Sequence, residues 1–270
     1  MIPFLEILLA LPFVLALVVA LARGLPRGAT AWLAGLAPLL GLVLLAWMTP
    51  SVLKGWDLRA DHAWISQIGL SFTLRLDGLA WMFAGLVLAI GGLVVVYARY
   101  YLSQKDSAPR FFASLLLFMG SMLGVVLAGN LLLLVVFWEL TSISSFLLIG
   151  FWSHRQDARE GARMALAITG AGGLALLGGV LLLGRIVGSY DLDVVLASGD
   201  AIRASEQVAL WSGISTRFSG LRILAVSPMK RTPQTTKVAA RLWAPNLAIS
   251  RESATQPPVS SARAWRSPEV

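Results

Sequence analysis

The chain has 270 residues, of which 57% are hydrophobic and 13% are charged, whereas roughly a quarter of the residues are charged in an ordinary soluble domain. This composition excludes a soluble globular domain as the main architecture and predicts an integral membrane protein. The chain has no cysteine, which excludes disulfides, thiolate metal sites and cysteine nucleophiles.

The net charge of +8 is unevenly distributed along the chain. Residues 1–205 hold 13 Lys and Arg against 11 Asp and Glu, whereas residues 206–270 hold 9 against 3. The basic residues of the apolar part stand between the apolar stretches, where they are topology signals rather than phosphate contacts. We therefore expect no nucleic-acid partner.

Six apolar stretches reach the roughly 20 residues that a helix needs to cross a bilayer. The first lacks the basic start of a signal peptide and carries Glu6, so it is predicted to be a retained helix. Residues 1–205 thus predict an all-α integral membrane region of about six transmembrane helices. The predicted spans are Ile2–Ala22, Ala31–Met48, Leu79–Tyr97, Phe111–Ala128, Leu131–Trp152 and Met164–Val187.

Basic residues in the loops predict the orientation, because they accumulate on the cytoplasmic side. Three alternate loops carry eight of them, whereas the long loop on the other side balances its three with Asp57, Asp61 and Asp77. The N-terminus is therefore predicted to lie outside. The eight are Arg23, Arg27, Arg99, Lys105, Arg110, Arg155, Arg159 and Arg163, and the three are Lys54, Arg59 and Arg75.

The loop from Thr49 to Asp77 is long enough to contain structure of its own. Apolar and polar residues alternate around Ser71 to Leu76, which predicts a short extracellular strand or hairpin on the helix ends. Asp77 and Gly78 are expected to turn the chain into the third helix, and Arg75 and Asp77 to form a structural pair at the membrane surface.

Residues 206–270 differ in composition from the rest of the chain. From about Gln207, Ser, Arg, Pro, Thr and Trp replace the Leu, Val, Gly and Ala of the preceding helices. This second region is a basic tail rich in Ser, Pro and Arg, with no further span, and its composition is typical of disorder from residue 228 onward.

Glu139 is the ionisable residue placed deepest in a predicted span. It stands about eight residues into the fifth stretch, or about 12 Å along the helix at 1.5 Å per residue. A charged group at the centre of a spanning helix costs about 2.5–3.5 kcal/mol, so such groups are retained beside polar partners or water and are functional candidates. A merely structural acid is the alternative. Ser142 shares its helix face, and the nearby hydroxyls are expected to bond backbone carbonyls or neighbouring helices.

The other candidates are weaker. Glu6 lies one turn into the first helix, where the interface and the helix N-terminus stabilise a carboxylate. His62 and His154 fall in predicted loops, where a solvated side chain is expected, and no metal-ligand spacing links them. The glycines from Gly170 to Gly179 lack the flanking strand and Lys-Ser/Thr of a phosphate loop and predict close helix packing.

At Glu139 the run FWELTSISSFLLIGFW resembles the fifth-helix region of the antiporter-like subunits that respiratory complex I and the Mrp-type monovalent cation/proton antiporters share. The preceding RLDGLAWMF is similar to that family's turn into the third helix. ALAITGAGGLALLGG is similar to the large A-type subunits of the Mrp branch, also called Mnh or Pha. The resemblance covers roughly residues 1–205.

The resemblance implies that Glu139 is a proton carrier, paired in such subunits with a lysine in a broken seventh helix. It also implies about fourteen spanning helices or more, of which this chain supplies the first six. Lys237 has no hydrophobic span around it and is not assigned as the partner lysine. We hypothesise that residues from about Gln207 are out of frame with the family sequence. The hypothesis fails if neither other reading frame of the gene encodes an apolar continuation.

The function implied by the resemblance is that of one component of a multisubunit Na⁺(K⁺)/H⁺ antiporter in the cell (inner) membrane, which serves pH and cation homeostasis. Its implied partners are the lipid bilayer, other antiporter subunits in a hetero-oligomeric membrane complex, Na⁺ or K⁺, and protons. No cofactor and no metal site is expected. Two alternatives stay open: a proton-translocating membrane subunit of NADH:quinone oxidoreductase, and an inactive truncated fragment.

Overall fold

A computed structural model describes residues 4–22, 24–103 and 106–205. Six of its helices are long and apolar enough to cross a membrane, which confirms the predicted all-α membrane fold. The tail from residue 206 lies outside the described residues. The six helices are α1 (Phe4–Leu21), α2 (Arg27–Leu53), α3 (Gly78–Tyr101), α4 (Ala108–Leu127), α5 (Leu131–Ile149) and α6 (Gln156–Val187), followed by the short α7 (Leu192–Ala197) and α8 (Gly199–Ala204).

The helix ends differ from the predicted span ends, mostly because the helices extend beyond the apolar stretches. Helix α6 begins at Gln156, eight residues before the predicted Met164, and α2 continues to Leu53 rather than Met48. Hydropathy marks only the part of a helix that lies in hydrocarbon, whereas the backbone hydrogen bonds continue into the interface. Helix α5 instead ends early, at Ile149, and Gly150 follows it.

Helix α4 lies at the centre of the bundle and packs against α1, α2, α3 and α5, whereas α6 packs mainly on α5. Of the six spans α4 is the most enclosed and α6 the least. Helices α4 and α5 approach closely because Gly124 has no side chain, since a Cβ there would overlap the ring of Phe137. Such close approach through small residues is usual between membrane helices.

The predicted hairpin is confirmed. Strand β1 (Leu58–Ile65) pairs antiparallel with β2 (Leu70–Leu76). The hairpin is fastened to the turn between α4 and α5, where Gly129 N donates to Thr73 O at 2.8 Å. The Asn130 amide adds hydrogen bonds to Gly69 O at 3.1 Å and to Ser71 Oγ at 3.0 Å. The hairpin therefore fixes the end of the bundle from which α5 starts.

The turn into α3 also follows the prediction. Asp77 Oδ1 accepts a hydrogen bond from Ala80 N at 2.7 Å and caps the helix, which satisfies one of its free N–H groups. The expected pair is present, with Arg75 Nη1 at 3.2 Å from Asp77 Oδ2.

A cluster of ion pairs joins the hairpin to the start of α7, where Asp191 caps the helix and Asp193 lies in its first turn. Arg59 Nη1 lies 2.6 Å from Asp193 Oδ2, and Arg59 Nη2 pairs with Asp191. Arg75 Nε lies 3.1 Å from Asp193 Oδ1, an ion-pair distance without hydrogen-bond alignment. Burial opposes ionisation of Asp191, but the hydrogen bond and charge of Arg59 outweigh it and lower the pKa of Asp191 below its ordinary value.

Replacement of Arg59 is expected to loosen the hairpin. Arg59→Gln removes charge-assisted hydrogen bonds and should lower the free energy of opening the hairpin by about 2 kcal/mol, measured by hydrogen exchange of the β1 amides. Lys54→Gln removes a nearby charge that stands over the Trp56 ring, outside the cluster, and should leave protection unchanged. Because the pKa of Asp191 is lowered in the folded state, the stability that this carboxylate contributes is present above pH 3.8 and is lost as the pH falls further. Equal protection in both variants would contradict the assignment.

Candidate functional site

Helix α5 carries Glu139 in its middle. Asn130 caps the helix, and its Oδ1 accepts from Leu132 N at 2.9 Å and from Leu133 N at 3.3 Å. Because Asn130 also bonds the hairpin, the start of α5 is fixed in position. At 1.5 Å per residue, Glu139 stands about 12 Å along the helix from this fixed start and about 15 Å from its other end.

The carboxyl group of Glu139 rests against the backbone of α6 at Gly173. A Cβ at Gly173 would overlap Glu139 Oε1, and it would lie 2.8 Å from Glu139 Cδ and 3.3 Å from Trp138 Cδ1. Gly173 is buried and Glu139 is half-buried. The space for the carboxyl thus exists only because residue 173 has no side chain.

Three of the hydroxyls that follow Glu139 bond the backbone of their own helix, as predicted for this cluster. Thr141 and Ser142 donate to Trp138 O at 2.6 Å and 3.3 Å, and Ser144 donates to Leu140 O at 2.8 Å. These groups are thereby satisfied without the carboxyl of Glu139.

No basic side chain forms an ion pair with Glu139 in the part of the chain that the structure describes. The pairing with lysine that the resemblance implies stays a prediction, and Lys237 lies outside the described residues.

The other candidates stand apart from this site. Glu6 Oε1 lies 3.0 Å from His62 Nε2, so the structure brings these two residues together. The prediction that His62 lies in a loop is wrong, because strand β1 extends over it; His154 is exposed in the turn before α6.

Of the glycine-rich run, Gly173 packs closely, as predicted. A Cβ at Gly170, Gly172, Gly178 or Gly179 would meet no described atom within 4 Å. The expectation of close packing is therefore wrong for these four within the part of the chain described. Gly173 is a site residue that the sequence did not single out, since nothing in the run indicates which glycine faces α5.

Two family descriptions match the chain. Residues 64–112 match the N-terminus of chain 5 of NADH-ubiquinone oxidoreductase (complex I), and residues 128–234 match the transmembrane family of NADH:quinone oxidoreductase and Mrp antiporters. The A/B subunit of a probable K⁺/H⁺ antiporter from Rhizobium meliloti is 55% identical over 199 residues, which are 74% of this chain and 20% of the relative. The chain belongs to the antiporter-like subunit family. Among its members it matches the N-terminal part of the large A-type subunits of Mrp systems.

Further relatives support the same family. The A1 subunit of the Na⁺/H⁺ antiporter of Staphylococcus aureus is 39% identical over 202 residues, covering 74% of the chain and 25% of the relative. The Mrp complex of Dietzia sp. DQ12-45-1b gives a TM-score of 0.64 at 33% identity, over 71% of this chain and 20% of the solved one. An archaeal membrane-bound sulfane sulfur reductase shares the fold, with a TM-score of 0.58 at 21% identity. The chain spans only a fifth to a quarter of the curated relatives' length.

Proposed function

We propose that the chain acts as the N-terminal part of the large A-type component of a multisubunit Na⁺(K⁺)/H⁺ antiporter, and that Glu139 carries the proton. The observation that supports this most is the half-buried carboxyl in mid-span, held against the bare backbone of α6 at Gly173. The relatives named as K⁺/H⁺ and Na⁺/H⁺ antiporter subunits supply the class of transport.

The proposed mechanism uses the position of Glu139 along α5. A carboxyl group about half-way across the hydrocarbon divides the path for a proton into two shorter steps, and it binds the proton from one side and releases it to the other. Exchange requires that loss of the proton be coupled to cation movement, which involves the other antiporter subunits in the membrane.

The proposal is tested by proton movement in everted vesicles from an antiporter-deficient strain that contain the chain, the rest of the A-type component and the neighbouring subunits. Addition of Na⁺ or K⁺ is expected to collapse an imposed pH gradient in these vesicles and not in vesicles that lack the chain. A pH gradient that persists after addition of Na⁺ or K⁺ in both kinds of vesicle would contradict the proposal.

The second candidate is a proton-translocating membrane subunit of an NADH:quinone oxidoreductase, which the match of residues 64–112 to a complex I family favours. In that case proton uptake by Glu139 would follow quinone reduction. Proton movement on addition of NADH and quinone, with none on addition of Na⁺ or K⁺, would select this function over antiport.

A further inference from the structure

Three arginines converge on one pocket at the end of the bundle opposite the hairpin. The pocket has a volume of about 320 Å³ and lies between the start of α4, the end of α5 and the start of α6. Arg110, Arg159 and Arg163 line it together with the apolar side chains of Phe146 and Leu147.

These arginines have no carboxylate partner among the described residues. Two acids that are close in sequence are engaged elsewhere: Asp106 accepts from Trp152 Nε1 at 3.1 Å, and Glu160 accepts from Gln156 Nε2 at 2.8 Å. Two other arginines at this end do have protein partners, since Arg27 bonds Leu102 O and Arg99 stands over the Trp32 ring.

Arg159 and Arg163 are also one helical turn apart on α6, and like charges at this spacing repel each other. All three arginines are exposed to solvent, and an anion between them would relieve their mutual repulsion, since guanidinium groups match the oxygen pairs of a phosphate. Positive charge in the loops sets the orientation of a membrane protein, but this role does not require the charged side chains to line a common pocket.

We propose that this pocket binds the phosphodiester headgroup of an anionic phospholipid such as phosphatidylglycerol. Leu147 and Arg110 also line a neighbouring cavity of about 680 Å³. Its apolar side, which favours a lipid over free phosphate, is formed by Ala20, Leu25, Ala108, Pro109 and Ala113, and its polar side by Arg27, Asp106, Ser107 and Ser114. A phosphate at the arginines places the acyl chains along the apolar side, at the depth where a spanning helix meets the headgroups.

The test is native mass spectrometry of the full chain in detergent with added phosphatidylglycerol or phosphatidylcholine. Arg159→Gln with Arg163→Gln is expected to weaken phosphatidylglycerol binding about thirtyfold, from two surface charges. The matched control, Arg155→Gln with Arg185→Gln, removes the same charge from exposed positions at the two ends of α6 outside the pocket and is expected to bind as the unchanged chain does.

Arg110→Gln, on a different helix, is expected to weaken binding about fivefold. It replaces the double variant in the test if circular dichroism shows that the double variant has lost helical content. Equal losses in the pocket and control variants would overturn the proposal, as would equal binding of the zwitterionic lipid. Displacement of phosphatidylglycerol by inorganic phosphate alone would assign the pocket to a free anion and overturn the lipid assignment.

Discussion

Glu139→Gln is expected to reduce cation-dependent proton movement to the level of vesicles without the chain. Glutamine has nearly the same shape and fits beside Gly173, but it cannot bind and release a proton. The loss would therefore reflect missing chemistry rather than misfolding. The measurement is the Na⁺- and K⁺-induced collapse of the pH gradient in everted vesicles, normalised to the amount of chain in the membrane.

Glu160→Gln is the matched control, because Glu160 is an exposed acid on α6 bonded to Gln156. It is expected to leave exchange unchanged. Full exchange by Glu139→Gln would show that the carboxyl is a structural acid, and similar losses in both variants would indicate a general effect of charge.

Gly173→Ala is expected to have the second largest effect. The new methyl group would overlap Glu139 Oε1, so either the carboxyl or helix α6 must move. Overpacking of this kind costs about 1–3 kcal/mol, and displacement of the carboxyl changes its access to the proton path. We expect a strong loss of exchange in vesicles and a small fall in the thermal unfolding midpoint in detergent.

The neighbouring Gly172→Ala provides the control, because Gly172 is exposed and a Cβ there meets no described atom within 4 Å. It adds the same methyl group to the same helix and should leave exchange intact. The double variant Glu139→Asp with Gly173→Ala shortens the acid by one methylene and is expected to exchange faster than Gly173→Ala alone. No such recovery, together with equal effects of both glycine substitutions, would contradict a positioning role for Gly173.

The sequence predicted the six spans and the hairpin because both depend on local patterns. Spanning length and hydropathy identify the helices, and alternation with a capping Asp77 identifies the hairpin and the turn after it. The start of α6 was misplaced because residues 156–163 are helical but polar, and hydropathy does not detect such a segment.

The candidate site was predictable only in part. An acid in an apolar run is visible in the sequence, so Glu139 could be named. Its contact with Gly173 depends on the rotation of α6 about its axis. The sequence does not determine that rotation, because any of the five glycines from Gly170 to Gly179 could face α5. The pairing of Arg59 with Asp191 joins residues 132 positions apart, and no local pattern reports such a distance.

The most direct test of the proton-carrier role of Glu139 is infrared difference spectroscopy of the chain in lipid during a pH titration, which reports protonation of carboxyl groups and assigns a band by its loss in a variant. We expect a protonated-carboxyl band that disappears in Glu139→Gln, persists in Glu160→Gln and shifts in Gly173→Ala. A titrating band that is unchanged by Glu139→Gln would show that this carboxyl does not carry the proton.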